Sequence, residues 1–254
     1  NHAYQGGEIM KKPLIIAAML SAISFAAQAA GTVEVHMAGV EKPLTLTHAE
    51  RLADLVGQPR LAGSWWPGAA ITSPLAAAQA EREHQALLAE LAALAADEGG
   101  SEAGAINALR NQLQAIPVTG RLLVPLDPDT VRVRSKNNPP LEGHYTLWLG
   151  REPSTITLIG LVDKPGKIPF TPGRDAASYL DDISLLSGAD RSYAWVIYPD
   201  GHTQKAPVAY WNKRHVEPMP GSILFVGFAD SLWTKKYEAL NAEILRSLSQ
   251  RRPE

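Results

Sequence analysis

Residues 73–117 carry a long helical signal between two stretches of β-like sequence, and this constrains the fold more than any other feature. Ser73 offers a capping oxygen and Pro74 suits the first helical position, so a helix is predicted to start there. Leu87, Leu91 and Leu94 follow at helical spacing, with Leu88 beside them, until Gly99-Gly100 stops the run. Ile106, Leu109, Leu113 and Ile116 then recur at steps of 3, 4 and 3, which predicts a second helix ended by Pro117. Two antiparallel helices joined by a short glycine loop make a helical hairpin. Both flanks read as strand or loop, so the hairpin is expected as an insertion in a β-containing domain. It either packs on that domain or offers a coiled-coil surface to a partner.

Before the hairpin, residues 32–36 alternate like a half-buried strand, with 44–46 as the expected partner. Thr47 and Glu50 have the spacing of a capping box for a short helix whose apolar face is Leu52, Leu55 and Val56. After it, 122–126, 130–133 and 145–149 are candidate strands separated by turn chemistry at Asp127-Pro128-Asp129 and Asn137-Asn138-Pro139-Pro140. A second unit begins near Ser154. Its predicted strand 155–162 is followed by a turn at Lys164-Pro165-Gly166 and a helix over 175–186 capped by Gly188. A hairpin over 194–198 and 203–209 and a last strand over 223–228 complete it. Both units run strand, strand, helix, strands, which reads as a diverged duplication. In the last segment, 230–250, Trp233, Tyr237, Leu240, Ile244 and Leu248 form an apolar stripe on one helix. That helix either docks on the second unit or meets a membrane or a partner ring.

The N-terminus reads as an export signal. Met10 is followed by Lys11-Lys12, an apolar run over 14–25 and the small-residue site Ala27-Gln28-Ala29. The run is short against the roughly 20 residues of a membrane span, the alternative reading being a membrane anchor. Gln5-Gly6-Gly7-Glu8 reads as a translated ribosome-binding site, which puts the expected start at Met10. Residues 1–30 are therefore expected to be removed, leaving a protein that works outside the cytoplasm. The chain has no cysteine, so cysteine nucleophiles, thiolate metal sites and a lipid-modified cysteine are excluded. A formal net charge of -2 gives no basic excess for nucleic acid.

The landmarks Thr157, Gly160, Pro165-Gly166, Thr171-Pro172-Gly173, Tyr179-Leu180, Leu186-Ser187-Gly188, Asp200-Gly201 and Pro220-Gly221-Ser222-Ile223 resemble, in their order, an SLBB-type β-grasp domain. Such ubiquitin-like domains recur in Wza-type polysaccharide export proteins. Further motifs extend the likeness over nearly the whole chain after residue 30. They are Leu46-Thr47-His48-Ala49-Glu50, Ser64-Trp65-Trp66-Pro67-Gly68, Val118-Thr119-Gly120-Arg121, Leu126-Asp127-Pro128-Asp129 and Asn138-Pro139-Pro140-Leu141. This set is similar to the capsule-biosynthesis GfcC family, and in particular to its Yjb exopolysaccharide branch. The resemblance implies an α+β fold of two β-grasp domains: 31–150, with the hairpin 73–117 inserted, and 151–229. A C-terminal amphipathic helix over 230–254 completes it. The implied role is periplasmic, in making or exporting a surface polysaccharide.

Chemistry is harder to find. No G-x-S-x-G elbow, H-E-x-x-H or phosphate loop occurs, and histidines 36, 48, 84, 144, 202 and 215 lack metal spacing. No metal or cofactor is expected. The carboxylate pairs Asp127/Asp129 and Asp181/Asp182 are candidates for glycoside chemistry, though the first is more simply a turn and the second points two ways on a helix. Flat rings suit sugar stacking, which singles out Trp65, Trp66 and Trp211 as ligand contacts, against their ordinary use in cores and interfaces. Arg121 either pairs internally or binds an acidic or hydroxylated ligand. Trp233, Tyr237, Leu240, Ile244 and Leu248 are the candidate membrane or partner contact. The expected function is non-catalytic binding of polysaccharide or of export proteins, with outer-membrane contact through the last helix. The alternative is an enzyme that modifies or trims the polymer.

Overall fold

The structure is a computed structural model and describes residues 30–230 and 236–254. The expected signal peptide and Trp233 lie outside the described residues. The fold is α+β, with one four-stranded and one five-stranded sheet among the described residues.

The first sheet contains β1 (Gly31–Met37), β2 (Leu44–Ala49), β3 (Ala70–Thr72) and β4 (His144–Leu149), in the order β2-β1-β4-β3. Alternation in β1 turns Val33 and Val35 inward, as the period of 2 demands. The middle pair β1–β4 is parallel and the outer pairs are antiparallel. Short helices α1 (Leu52–Val56) and α4 (Pro128–Val133) cover this face with Leu52, Leu55 and Val131. Three predicted details differ here. Thr47 belongs to β2, and α1 is capped one turn later, where the Arg51 N–H donates to Asp54 Oδ2 at 2.9 Å. Residues 130–133 are helical, because Asp127-Pro128 places proline at the first helical position and Asp129 in the first turn. The segment 122–126, predicted as a strand, joins no sheet; the Leu122 N–H donates to the Ile71 carbonyl at 2.8 Å and the Val124 N–H turns back to the Leu122 carbonyl at 3.0 Å.

Helices α2 (Pro74–Glu98) and α3 (Gly100–Gln114) lie between β3 and β4 in the chain and form the predicted hairpin. Ser73 Oγ accepts from the Ala76 N–H at 3.2 Å. The hairpin's leucines do not join the core of the first sheet. Leu87, Leu91, Leu109 and Leu113 share one cluster with Ile156, Leu158 and Leu224 of the second sheet. A leucine stripe carries no directional preference of its own, and Gln112 supplies the direction. Its Nε2 donates to the Gly160 carbonyl at 3.0 Å and its Oε1 accepts the Gly160 N–H at 2.8 Å.

The second sheet holds β5 (Thr155–Gly160), β6 (Gly166–Pro169), β7 (Tyr193–Ile197), β8 (Thr203–Pro207) and β9 (Ile223–Val226), in the order β6-β5-β9-β7-β8. Its first strand also pairs antiparallel with the second and parallel with a later one, the arrangement seen for β1. Helix α5 (Ala176–Tyr179) is a single turn capped by Asp175, which accepts from the Ser178 N–H at 2.9 Å. The longer helix predicted over 175–186 breaks into a turn at Asp181-Asp182. Leu185 then bridges to Val162, and Gly188 turns the chain between Leu185 and Ala189 rather than capping a helix. Helix α6 (Lys236–Ser249) closes the layer against α2 and β7, with Leu240, Ile244 and Leu248 at 4%, 0% and 1% exposure.

Candidate functional site

The seam between the sheets is built around one glycine-arginine pair. Gly120 has φ +76°, and a side chain there would place its Cβ 2.7 Å from the Ala76 carbonyl oxygen. Only glycine takes this position without strain. The chain thus passes the start of α2 closely and delivers Arg121 inward, at 8% exposure.

Carbonyl groups, not carboxylates, hold that guanidinium. Arg121 Nη1 donates to the Pro199 carbonyl at 2.9 Å and the Ala69 carbonyl at 3.4 Å. Nη2 donates to the Arg251 carbonyl at 3.5 Å, while the buried Nε has no partner. Arg251 lies beside it. Its Nη1 donates to the Leu248 carbonyl at 3.0 Å and its Nη2 to the carbonyls of Tyr198 and Gly221 at 3.2 and 3.1 Å. Desolvation lowers the pKa of Arg121 to about 10, opposed by the charge of Asp200. Desolvation and then the neighbouring Arg121 lower that of Arg251 to about 9, opposed by Glu254 and Asp200. Both groups stay cationic at neutral pH.

The last residues fix this arrangement. Val118 and Arg251 form an antiparallel bridge, the Thr119 N–H donates to the Gln250 carbonyl at 3.0 Å, and the Arg252 N–H to the Pro117 carbonyl at 2.9 Å. The C-terminal segment is thereby a structural element of the seam.

Three cavities meet Arg121. The first, about 180 Å³, is lined by Trp65, Arg121, Arg151, Arg251, Arg252 and Glu254. Its cations outnumber its single carboxylate, which is itself paired with Lys167 Nζ at 2.6 Å. Trp65 can line it because residue 68 is glycine: a Cβ at Gly68 would lie 2.2 Å from the indole ring. The second cavity, about 710 Å³, runs between α2, α6 and the β7–β8 hairpin. The third, about 630 Å³, is bordered by Trp66, Asp127 and Met219. The larger two share Leu123, Gly201 and His202 as well as Arg121.

The sequence candidates thus separate. Arg121 and Trp65 converge on the first cavity, and Trp66 lines the third while packing against the first core. Trp211 lines none of the three and is 70% exposed. Leu240, Ile244 and Leu248 are covered by the chain's own core, and the Tyr237 ring stacks on Phe228 with centroids 5.0 Å apart. Sequence reasoning missed Arg251 as a site residue, since a terminal arginine after a helix reads as a solvated complement to the helix dipole. Arg151 and Arg252 carry no sequence signal that brings them together.

Of the two carboxylate pairs only Asp127 borders a seam cavity, and it does so without its partner Asp129. Asp129 pairs with Arg132 at 2.5 Å on α4, and Asp127 accepts from the Thr130 hydroxyl at 2.9 Å. Asp181 and Asp182 are exposed in the turn after α5. A pair absent from the sequence reading joins α2 to α6: Glu243 is hydrogen-bonded to Glu90, which raises its pKa to about 7. No group of three or more His, Asp or Glu that could hold a metal occurs among the described residues.

The geometry has a family setting. The family model described as capsule biosynthesis GfcC, N-terminal, matches residues 29–152, and the one described as capsule biosynthesis GfcC C-terminal matches 164–253. This chain belongs to the GfcC capsule-biosynthesis family. A relative in Escherichia coli (strain K12), described as the uncharacterized protein YjbG, is 63% identical over 245 residues, covering 96% of this chain and 100% of its own. The two family models end and begin at residues 152 and 164, on either side of β5, and the seam joins Arg121 from the first matched stretch to Arg251 from the second.

Proposed function

We propose that this GfcC-family chain is a periplasmic, non-catalytic protein of capsule or exopolysaccharide biosynthesis or export, and that it binds an acidic group of the polymer in the seam at Arg121. In this reading each sheet is a β-grasp domain, 31–150 and 151–229, the second of the SLBB type, and the hairpin 73–117 is an insertion in the first. The observation that carries the binding role is the first cavity, where an indole ring and four arginines face one carboxylate. Arginine matches carboxylate oxygens with paired donors, and an indole face suits the apolar side of a pyranose. At about 180 Å³ the cavity is below the roughly 300–1,000 Å³ of sites that enclose a whole small molecule. It fits one charged substituent, with the larger cavities leading away from Arg121 along the surface.

The test is calorimetric titration of the protein with an oligoglucuronate and with a neutral glucan oligomer of equal length. The acidic oligomer is expected to bind and the neutral one not. Exchange of the exposed rim residues Arg151 and Arg252 for Gln should weaken binding by about tenfold or more, the scale of charge-assisted hydrogen bonds. Equal binding of both oligomers, or no loss in the variant, removes the seam from consideration. Release of new reducing ends during the titration favours the enzyme instead.

A further inference from the structure

The turn that follows β8 is the most exposed aromatic feature of the described residues. Tyr210 is 102% exposed and Trp211 70%. The turn itself is firmly built. Asn212 Oδ1 accepts the Ala209 N–H at 2.9 Å and its Nδ2 donates to the Ser192 carbonyl at 3.0 Å. The Lys213 N–H donates to the Ala209 carbonyl at 2.9 Å and the Arg214 N–H to the Pro207 carbonyl at 3.3 Å. Two rings held outward on a hydrogen-bonded turn contribute nothing to the core.

The charged side chains within the turn are all of one sign. Lys213 and Arg214 follow directly and are exposed, and residues 201–216 contain no acid. Two carboxylates lie at its base: Asp175 caps α5, faces His215 at 3.5 Å and also feels the charge of Lys213, and Glu217 faces His215 at 3.6 Å. The whole chain is at -2, so the positive turn is a local feature and not an overflow of general charge.

Shape decides between ligands. A sugar site needs a wall of polar groups around the stacked ring, and a Tyr at full exposure on a projecting turn has no wall. A lipid headgroup layer needs the reverse. There an amphipathic ring buries its body among acyl chains and keeps its polar tip in water, and neighbouring cations are drawn to anionic phosphates. The apolar stripe of α6 is not free for this task, since Leu240, Ile244 and Leu248 are buried in the chain. No helix among the described residues is long and apolar enough to cross a membrane. We propose that the turn 209–214 docks the protein peripherally on a bilayer surface containing anionic lipid, with Tyr210 and Trp211 inserted and Lys213 and Arg214 on the phosphates.

Co-sedimentation tests this on the protein beginning at Ala30, which contains every described element of the fold. The vesicles are phosphatidylcholine alone or an equal mixture with phosphatidylglycerol. The protein is expected to pellet with the mixture and not with phosphatidylcholine alone, and to be released by salt. Y210A/W211A should weaken pelleting at least tenfold. K213Q/R214Q should weaken it about fivefold per charge, the loss that corresponds to about 1 kcal/mol for each basic residue. Both variants should keep the wild-type thermal midpoint, since none of the four side chains is buried. Wild-type protein that stays in the supernatant with the anionic vesicles at low salt overturns the proposal. So does a Y210A/W211A variant that pellets unchanged, including the case in which it loses retention on alginate beads and the turn is a polysaccharide contact.

Discussion

The two sheets cover their apolar faces by different means. The first is closed locally: α1 follows β2 directly and α4 precedes β4 by ten residues, and they bring Leu52, Leu55 and Val131 onto Val33 and Leu147. The second is closed from a distance. Beyond the single local turn α5, which adds Ala176 and Tyr179, its cover comes from α2 and α3, which precede it in the chain, and from α6, which follows it. The difference teaches where the molecule is tied together. The hairpin leaves the chain from the first sheet and ends in the core of the second, so neither half of the family pattern completes its packing alone.

The largest expected effect comes from opening the remote cover. Ile244 is fully buried where α6 enters the larger cluster. Ile244→Ala should lower stability by about 2–5 kcal/mol, the usual range for a core isoleucine cut to alanine. Urea unfolding followed by tryptophan fluorescence and by far-UV dichroism measures it. A loss below about 1 kcal/mol would mean that α6 rests on the second sheet without closing it, and the contrast between local and remote cover would fall.

A smaller effect is expected where the hairpin is steered. Gln112→Leu keeps the side-chain bulk and removes both hydrogen bonds to Gly160. A buried backbone pair left unsatisfied costs about 1–3 kcal/mol. The sharper readout is hydrogen exchange. Protection should drop at the Gly160 amide and along α3, while the amides of β1 keep theirs. If protection is lost equally in both sheets, the hairpin belongs to one cooperative unit with the first sheet as well.

Local rules made the hairpin legible and left its destination hidden. Ser73-Pro74, the leucine spacing and Gly99-Gly100 fix helix ends and faces from residues that are neighbours in sequence. Which sheet the face meets depends on Gln112 and Gly160, 48 residues apart, and no periodicity links them. The misread segments share a cause. Residues 130–133 have the β-branched look of a strand, but Pro128 and the acidic first turn outweigh it over so short a stretch. The predicted helix 175–186 has a good apolar face and is overridden at Leu185 by a bridge to Val162. Arg121 stood out because it follows Thr119-Gly120 at the edge of a predicted strand. Arg251 did not, because the carbonyls that hold it come from Tyr198, Gly221 and Leu248, which only the fold collects.

The smallest expected effect concerns how the remote cover responds to pH. Glu243 on α6 shares a hydrogen bond with Glu90 on α2, and that bond, partial burial and the charge of Glu90 raise its pKa from 4.5 to about 7. A carboxyl group whose pKa is higher in the folded state binds its proton more tightly there. Its contribution to stability is therefore fully present below about pH 4.5 and is lost as pH rises through about 7. Above that, two carboxylates face each other across the contact between α2 and α6. Glu243→Gln keeps a hydrogen-bond donor toward Glu90 at every pH. The variant should match the wild type at pH 5 and exceed it at pH 8, by well under about 1 kcal/mol because the pair is largely solvated. Thermal midpoints across that window measure it. A variant that is less stable than wild type at pH 8 would show that Glu243 is held as an anion by other groups.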